Sequence, residues 1–560
     1  MTAKDMLAPH SYGVSMSGSR EEFEKIERAV GLAISHILQK GCDDIFKPPS
    51  FAKSPETDVI SQHEKGFKKK AHKDTIKFLQ AANLNKIPIG LAISSLVSKD
   101  EHTFRQVSWI DPFDSVKFLA LAILLFDTIE TKRIPKAENI LHSHRRSEEK
   151  DKLFDDEYGY DSFRKASALK SKQRLGQWKV ITDISNFFIS NFFDRIGNHS
   201  LENHLIDIEC ERKYVELMRD VLLFWTEGRR SFGVPVGSDA SRILAEAALI
   251  GVDKKLQKNG VDFIRYVDDY RIFADTKPKA SWAVQVLTAA LAEEGLQLNS
   301  KKTKIQLIVE TDELANLANT LVGGEHQKIN LEEKKEVIAR SQVSGRTNIS
   351  RYYKEPGKEA WKKIRELSQQ QLLEDFEKST EQNIEQEIKQ LVKFFIYSEK
   401  QDATILRTII ERRITAIIYI ADALTKEVER FSEDKCDEIC KQVFDVWRWE
   451  DCAYPLVLAV LRIAALSEFR RPSYIEYIVE NQKQIENYVF LREAILLGAS
   501  NLERARVRNL AIEVFPNVSD FVQRAIFVAV KNHPRMTDEE KRPLLKNLKL
   551  QSKDWFIERL

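Results

Sequence analysis

Two adjacent carboxylates, Asp268 and Asp269, lie between two runs of β-branched and aromatic residues. These runs, at 263–267 and 270–274, predict a tight β-hairpin with the aspartates at its tip. Neighbouring carboxylates repel each other and lose hydration between apolar strands, so a cation usually offsets their charge. A divalent metal is the most direct candidate for that cation. An ordinary Asp-Asp surface turn between edge strands is the alternative that this stretch leaves open.

A third carboxylate, Asp183, ends an earlier predicted strand at 177–183 and precedes an aromatic segment. Phosphoryl transfer from a nucleoside triphosphate to a hydroxyl needs two divalent metals about 3.5–4 Å apart, and carboxylates on adjacent strands can hold them. Magnesium prefers oxygen ligands, and no thiol or imidazole stands near these aspartates in the sequence. The alternative for Asp183 is a carboxylate that stabilises the N-terminus of the next helix.

The segments around these carboxylates alternate between helical and extended patterns. A helix from Ala240 follows a glycine-containing loop, and Ser238 or Asp239 would cap it. The stretch 132–172 is charged and irregular. Apolar periodicity further predicts helices over 21–39, 112–131, 201–225 and 281–294, and short strands over 86–89 and 104–107.

Beyond residue 325 the sequence pattern changes character. Strand signals largely vanish after residue 359, and amphipathic helical runs follow one another. These runs lie at 384–397, 405–423, 436–449, 456–466, 488–497 and 521–530. The succession predicts a stack of helical pairs or an irregular bundle, and it has no fixed sequence period.

Length and composition limit the class of protein. A chain of 560 residues is expected to form two to four domains, and 43% hydrophobic with 31% charged residues is typical of a soluble globular protein. The net charge of only +2 means that any nucleic-acid surface must be a local patch. The lysine-rich stretch 65–73 is a candidate for such a patch, and a solvated helix face is its alternative.

Cysteine content and hydropathy bear on the cellular compartment. The five cysteines form no disulfide framework. The N-terminus lacks the apolar core of a signal peptide, and the longest apolar run, 118–126, is far shorter than the ~20 residues that a membrane helix needs. We therefore expect a cytoplasmic protein without a membrane partner.

Four short motifs together resemble motifs A, B, C and D of a reverse transcriptase. They read TDISNFF at 182–188, GVPVGS at 233–238, YVDD at 266–269 and GL…KT across 295–303. They occur in the order of that family and at sensible separations. The resemblance implies an α+β, right-hand polymerase fold, in which a fingers-palm core with an antiparallel palm sheet and helices precedes an all-α, helical-repeat-like C-terminal domain.

The same resemblance predicts how the chain divides into domains. The expected divisions are a flexible arm at 1–20, fingers at 21–170, a palm at 171–325 and a helical domain at 326–560. The segment 326–400 is either a thumb or the first helices of the C-terminal domain.

Roles for individual residues also follow from the resemblance. Asp183, Asp268 and Asp269 are implied to be catalytic and to ligate the metals, and Ile184 is included in the metal site. The implied cofactor is Mg²⁺ at two sites, with Mn²⁺ as a substitute. The implied nucleotide-binding residues are Arg105, Phe188, Gly233, Pro235, Gly237, Ser238, Tyr266 and Lys302.

A physical reason supports several of these nucleotide-binding roles. Phe188 matches the position under the sugar, where a bulky ring clashes with a 2′-hydroxyl and favours deoxynucleotides; a core aromatic is its alternative. The glycines at 233 and 237 let the backbone approach the nucleotide closely. Lys302 matches a lysine that donates a proton to the pyrophosphate or offsets its charge, and a surface lysine is the alternative. Arg105 resembles the fingers arginine that holds the triphosphate.

Motif B departs from the usual pattern of the family. Retroviral and group II intron enzymes usually have Pro-Gln-Gly where this chain has Pro235-Val236-Gly237, so the side-chain amide is missing. With the residues at 237–246, this variant resembles bacterial abortive-infection and defence-associated reverse transcriptases. For them the resemblance implies phage defence, homo-oligomers, and single-stranded DNA made from deoxynucleoside triphosphates, often primed on a protein tyrosine and sometimes without a template.

The primer and the template stay open at the level of sequence. Tyr12 is the first choice for a priming tyrosine, because it is the only tyrosine of the polar N-terminal segment. Priming on it would leave the DNA product covalently attached to the protein. Templated copying of a dedicated non-coding RNA is one alternative. A non-catalytic, oligomeric scaffold that binds nucleic acid is another.

Overall fold

Helices predominate in the computed structural model, and its strands form two small antiparallel sheets. The structure describes residues 20–42, 54–80, 89–98, 104–184, 198–225, 234–235, 237–300, 302–309, 368–379, 384–444, 448–469, 471, 474, 476–477, 488–498 and 502–560. Within these ranges, no helix is both long and apolar enough to cross a membrane.

The first half of the chain contains both helices and strands, and every strand that the structure describes lies in it. The strands are β1 (Ile93–Ser98), β2 (Phe104–Trp109), β3 (Trp178–Asp183), β4 (Asp262–Tyr266), β5 (Asp269–Ala274) and β6 (Lys304–Leu307). The helices are α1 (Arg20–Lys40), α2 (Pro55–Gln62), α3 (Glu64–Gln80), α4 (Pro112–Lys132), α5 (Tyr160–Lys172), α6 (Asn198–Asp207), α7 (Arg212–Trp225), α8 (Asp239–Lys258) and α9 (Lys277–Glu293).

The larger sheet has four antiparallel strands in the order β4-β5-β3-β6. Its register sets Asp183 opposite Asp269 and Tyr266 opposite Asp269. Because side chains alternate between the faces of a strand, these three residues share one face, and Arg265 lies on the other. Helix α5 contacts the face with the aspartates, through Phe163 against Tyr266, and α8 packs behind the opposite face.

Helix α4 is the central helix of the first half of the chain. Almost all of its residues are buried, and α1, α3, α7 and α8 pack around it. Its start has a physical cause, because the Asp111 side chain accepts a hydrogen bond from the Phe113 amide at 3.0 Å and Pro112 follows directly. The predicted helix over 112–131 is therefore confirmed.

All the regular elements that the structure describes in the second half of the chain are helices. Its helices are α10 (Gln369–Lys378), α11 (Ile384–Tyr397), α12 (Thr404–Arg412), α13 (Ile417–Lys426), α14 (Glu433–Val443), α15 (Tyr454–Ala464), α16 (Tyr488–Gly498), α17 (Arg504–Asn509), α18 (Asp520–Asn532), α19 (Asp538–Gln551) and α20 (Trp555–Arg559). A π-helical turn, Leu510–Val514, follows α17. The predicted all-helical character of this half agrees with these elements.

Three predictions about elements were wrong in detail. The run 405–423 is two helices, because Arg413 adopts an extended conformation between α12 and α13. The run 201–225 is also divided, at Glu209, which has a positive φ of 68°. The stretch 132–172 contains α5, whose charged residues hid its short apolar face. The strand predicted at 86–89 lies outside the described residues except for Ile89, which is not part of a strand, and β1 at Ile93–Ser98 was not predicted.

The two halves have separate cores that meet through the end of the chain. The first core draws on residues 26–308 together with Trp555 and Phe556 of α20, and the second draws on residues 372–557. Contact between the halves also includes the β1–β2 hairpin, where the Leu96 amide donates to the hydroxyl of Tyr454. The division into arm, fingers, palm and helical domain stays a prediction.

Candidate active site

The hairpin predicted at the paired aspartates is present, and its turn is strained. Strand β4 ends at Tyr266 and β5 begins at Asp269, so Val267 and Asp268 form a two-residue turn. Val267 has a φ of 53°, which is unusual for a β-branched residue and falls where such turns usually place glycine. The end of β3 reaches the same turn, because the Ile184 amide donates to the Asp268 carbonyl at 3.0 Å.

The three carboxylates lie together at this end of the sheet. Asp183 and Asp268 are each only 7% exposed. One oxygen of Asp183 accepts from the ammonium group of Lys302. Asp269 is more open, and its Oδ1 lies 3.6 Å from Nη1 of Arg271. The tertiary structure thus brings two basic side chains to the predicted metal ligands.

The electrostatics of the site favour an added cation. Burial, followed by the negative charges of Asp269 and Asp183, raises the pKa of the Asp268 carboxyl to about 8. The ammonium of Lys302 lowers that pKa, but by less than the other causes raise it. A divalent cation between these carboxylates would favour their ionised forms, since an opposite charge at short range stabilises a carboxylate.

The donor chemistry fits magnesium, although the carboxylates are not arranged as a formed metal site. Oδ1 of Asp183 is buried and has no hydrogen-bond partner among the described residues, so this oxygen is available to a cation. Carboxylate oxygens are the ligands that magnesium prefers. Across the described ranges, however, no three Asp, Glu, His or Cys side chains are placed to hold one metal ion together. Magnesium is commonly bound by only one or two protein carboxylates together with waters and substrate phosphates, so these aspartates stay its candidate ligands.

The motif B loop is held by its own serines. Gly237 has a φ of 116°, a conformation that favours glycine. The hydroxyl of Ser238 accepts from the Ser241 amide at 3.2 Å and caps α8, which confirms the predicted cap. The Ser241 hydroxyl in turn donates to the Pro235 carbonyl. Ser238 is thereby used for the helix cap, and its contact with a nucleotide stays a prediction.

Tyr266 lies within an aromatic cluster on the aspartate face. Its ring centroid is 5.5 Å from that of Tyr160 and 6.0 Å from that of Phe163, and only 7% of the residue is exposed. Burial raises the pKa of its hydroxyl well above the ordinary value. Packing explains why an aromatic residue occurs here, and the predicted nucleotide contact is untested.

The remaining predicted residues are described only in part. The main chain of Arg105 pairs with Val97 in the β1–β2 hairpin. Three predicted positions, Tyr12, Phe188 and Gly233, lie outside the described residues. Their roles stay predictions.

A buried ionic network behind the turn was missed by the sequence reasoning. Arg265 of β4 contacts Glu246 and Asp253 of α8, with Nη2 2.9 Å from Glu246 Oε2 and Nε 2.9 Å from Asp253 Oδ1. Arg133 reaches the same Glu246 oxygen at 2.7 Å. Burial by itself would raise the pKa of Glu246, but the guanidinium groups of Arg133 and Arg265 hold that pKa well below its usual range. The sequence did contain a signal for this network, because Glu246 and Arg265 are charged residues within apolar segments.

Comparisons with known proteins agree with the motifs. The reverse transcriptase (RNA-dependent DNA polymerase) family model matches residues 134–344. A comparison with curated proteins finds no match. Among solved structures, telomerase from Candida albicans in complex with a TWJ fragment of telomeric RNA is similar over 72% of this chain and 68% of that chain, at 12% identity and a TM-score of 0.29. Nothing about this chain follows from a score that low.

The matched region contains β3, α8, the hairpin and all three aspartates. Its antiparallel sheet and helices agree with the fingers-palm type of fold that the motifs predicted. Residues 134–344 are therefore similar to a reverse-transcriptase-type polymerase domain, and the activity that this match indicates is RNA-directed DNA polymerisation.

Proposed function

We propose that this chain is a magnesium-dependent enzyme that joins deoxynucleotides into DNA. The observation that carries the proposal is the register of the four-stranded sheet, which sets Asp183 opposite Asp269 and places Asp268 in the adjoining turn. The unpartnered, buried Oδ1 of Asp183 supports it, because a bound cation would satisfy that oxygen. Manganese, which also accepts oxygen ligands, would substitute for magnesium.

In this proposal the protein's own groups have distinct tasks. Asp183, Asp268 and Asp269 would hold the metals, with Ile184 beside them. The metals, when bound, activate the attacking oxygen and neutralise charge on the leaving pyrophosphate. Lys302 lies against Asp183, from where it can offset charge on the pyrophosphate or donate a proton to it.

We assign nucleotide contacts to the residues that the motifs singled out. Phe188 would select deoxynucleotides by excluding a 2′-hydroxyl. The residues proposed to contact the incoming nucleotide are Arg105, Phe188, Gly233, Pro235, Gly237, Ser238, Tyr266 and Lys302. The φ of Gly237 supports its place in this group, since a side chain there would strain the loop that approaches the nucleotide.

The biological role in this proposal is anti-phage defence by a cytoplasmic homo-oligomer. The Pro235-Val236-Gly237 variant of motif B and the helical second half support the role, because both resemble defence-associated reverse transcriptases. Synthesis would begin on a tyrosine, with Tyr12 as the first choice, and would yield single-stranded DNA attached to the protein.

Templated copying of a dedicated RNA is the second candidate. It is favoured by the description of the matched family as RNA-dependent. The missing motif B amide favours untemplated synthesis instead. A non-catalytic scaffold is a third candidate, and the presence of all three carboxylates argues against it.

One incubation separates these candidates. Purified protein is mixed with magnesium and labelled deoxynucleotides, either alone or with RNA. Label retained covalently by the protein without added nucleic acid supports self-priming, and incorporation only with RNA supports templated copying. If neither mixture incorporates label, the chain is not a polymerase.

The control removes the paired carboxylates together. Asp268→Ala with Asp269→Ala should abolish incorporation while leaving the oligomer intact, as measured by light scattering. If this variant also loses the oligomer, the loss of incorporation would be due to misfolding. Incorporation at the wild-type rate would show that these aspartates are not the catalytic ligands.

A further inference from the structure

Arg265 is a buried guanidinium directly behind the aspartate turn. The residue is 0% exposed, and its main chain is held on both sides, since its amide donates to the Ile140 carbonyl and its carbonyl accepts from the His142 amide, each at 2.9 Å. Its side chain binds Glu246 and Asp253 on α8. The main chain and the guanidinium of Arg265 are therefore both held in place, and the guanidinium has little freedom to move.

The same guanidinium reaches the turn itself. Nη1 of Arg265 donates to the Val267 carbonyl at 2.9 Å. That carbonyl belongs to the peptide that joins Val267 to Asp268, so its direction sets where the Asp268 side chain begins. Val267 holds a positive φ that a β-branched residue rarely adopts, and such a conformation persists only where its surroundings hold it in place.

We propose that Arg265 is a positioning residue, which holds the Val267–Asp268 turn in the shape needed for Asp268 to join a metal site. It connects α8, the helix that follows the motif B loop, to the paired aspartates of motif C through charge-assisted hydrogen bonds. This inference rests on the proposed function, because it concerns the same carboxylates. It assigns the missed network a task in addition to stability.

Arg133 provides a matched control within the same network. It is also buried, at 3% exposed, and Nη2 binds the same Glu246 oxygen at 2.7 Å. Its other hydrogen bonds within the described residues go to the Glu130 carboxylate at 3.1 Å and to the carbonyls of Ser143 and His144, at 2.8 and 3.0 Å, and not to the turn. Arg133→Lys and Arg265→Lys both weaken a buried pair with Glu246, but only the second removes the fork that reaches the Val267 carbonyl.

The test compares Mn²⁺ binding in the two lysine variants by calorimetry or electron paramagnetic resonance. Asp268→Ala with Asp269→Ala defines the background. Both lysine variants should unfold at lower temperature than wild type. Arg265→Lys alone should bind Mn²⁺ at least tenfold more weakly, and its kcat should fall while KM for the nucleotide changes little.

Each outcome has one meaning. Equal Mn²⁺ affinities in the two lysine variants would overturn the positioning role and leave the proposed function standing. If wild type binds no more Mn²⁺ than the double-alanine background, the proposed function fails and the inference falls with it. The two failures are therefore distinguishable.

A milder pair of variants keeps the test decisive if Arg265→Lys does not fold. Asp253→Asn loosens the anchor of Arg265, whose Nε lies 2.9 Å from Oδ1 of Asp253. Ser143→Ala removes a hydroxyl that donates to Glu246 Oε1 at 2.6 Å and that makes no hydrogen bond to Arg265 within the described residues. Weaker Mn²⁺ binding in the asparagine variant alone supports the inference, and equal binding in the two overturns it.

Discussion

At the scale of single residues, the pairing of Lys302 with Asp183 is a replaceable contact. The lysine side chain is 45% exposed, whereas the aspartate side chain is 10% exposed. Because solvent reaches the lysine end of this pair, the ammonium group can move into water when a divalent cation binds the carboxylate. The pair offsets the charge of Asp183 in the absence of metal.

His142 makes the fold sensitive to acid. Burial is the main cause that lowers its pKa to about 4, and the charges of Lys170 and Arg145 lower it further. Between pH 6.5 and about 4 the unfolded histidine binds a proton while the folded one stays neutral, so protonation favours unfolding and stability falls as pH falls. A shift from 6.5 to about 4 corresponds to a loss of about 3 kcal/mol.

We expect His142→Asn to flatten this part of the pH dependence. Urea unfolding at pH 4.5 and 7 should show a smaller loss of stability on acidification than wild type, by about 2–3 kcal/mol. His63→Asn is the control, because His63 is exposed at the surface. Equal acid sensitivity of wild type and His142→Asn would contradict the prediction.

At the scale of elements, α3 presents a ridge of lysines that make no ion pair with any residue that the structure describes. Lys65, Lys69, Lys73 and Lys77 are exposed and four residues apart, so they lie on one row of the helix about 6 Å apart along its axis. The other two lysines of the stretch are used within the helix, since Lys68 pairs with Glu64 at 2.6 Å and Lys70 with Asp74 at 2.7 Å. Binding of a chain of phosphates by these lysines stays a prediction, and a solvated helix face is its alternative.

Replacing the four ridge lysines by glutamine should weaken the binding of single-stranded nucleic acid and its dependence on salt. Each lost phosphate contact reduces the slope of log K against log salt by about 0.7, so we expect a reduction of about 3. Fluorescence anisotropy at several salt concentrations measures this slope.

Two further variants of α3 serve as controls for the ridge. Replacing the same four lysines by arginine should keep the slope. The pair Lys68→Gln and Lys70→Gln should change it little, because these lysines are already paired. A slope unchanged in the four-glutamine variant would mean that the ridge is an ordinary solvated face.

At the scale of the whole molecule, a buried group of charges joins the two halves. Glu56 of α2 binds Arg492 of α16 and Arg524 of α18, with closest distances of 2.7 and 3.1 Å. Arg524 also binds Asp111, the cap of α4, and Asp554, the cap of α20, each at 2.7 Å. Burial by itself would raise the pKa of Glu56, but the two arginines hold that pKa far below its usual range. The halves are therefore joined by ionised groups.

Glu56→Gln should destabilise the contact between the halves by about 3–5 kcal/mol, because it leaves two buried guanidinium groups without their shared carboxylate. We expect a lower unfolding temperature and faster proteolytic cleavage between the halves. Glu411→Gln is the matched control, since its pair with Arg407 is exposed on both sides and worth at most about 0.5 kcal/mol. Equal thermal stability of the two variants would contradict the prediction.

Amino-acid patterns were sufficient to predict the elements that depend on neighbouring residues. Apolar periodicity and caps were sufficient for α4, α8 and α9, and the two runs around Asp268 were sufficient for the hairpin. The sequence also showed that Asp183 ends a strand. These features follow from side chains within a few positions of one another, so a local pattern can predict them. Strand β6 was missed because its residues are largely exposed and lack that pattern.

Contacts between residues far apart in the chain could not be predicted in this way, because they depend on how the elements pack. The pairing of Asp183 with Lys302 spans 119 positions and that of Glu56 with Arg492 spans 436, and neither leaves a periodic mark in the sequence. The contact of Arg265 with the Val267 carbonyl is short in sequence, but it depends on α8 fixing the guanidinium. The sequence named the carboxylates of the candidate site, and long-range packing set their charge, burial and support.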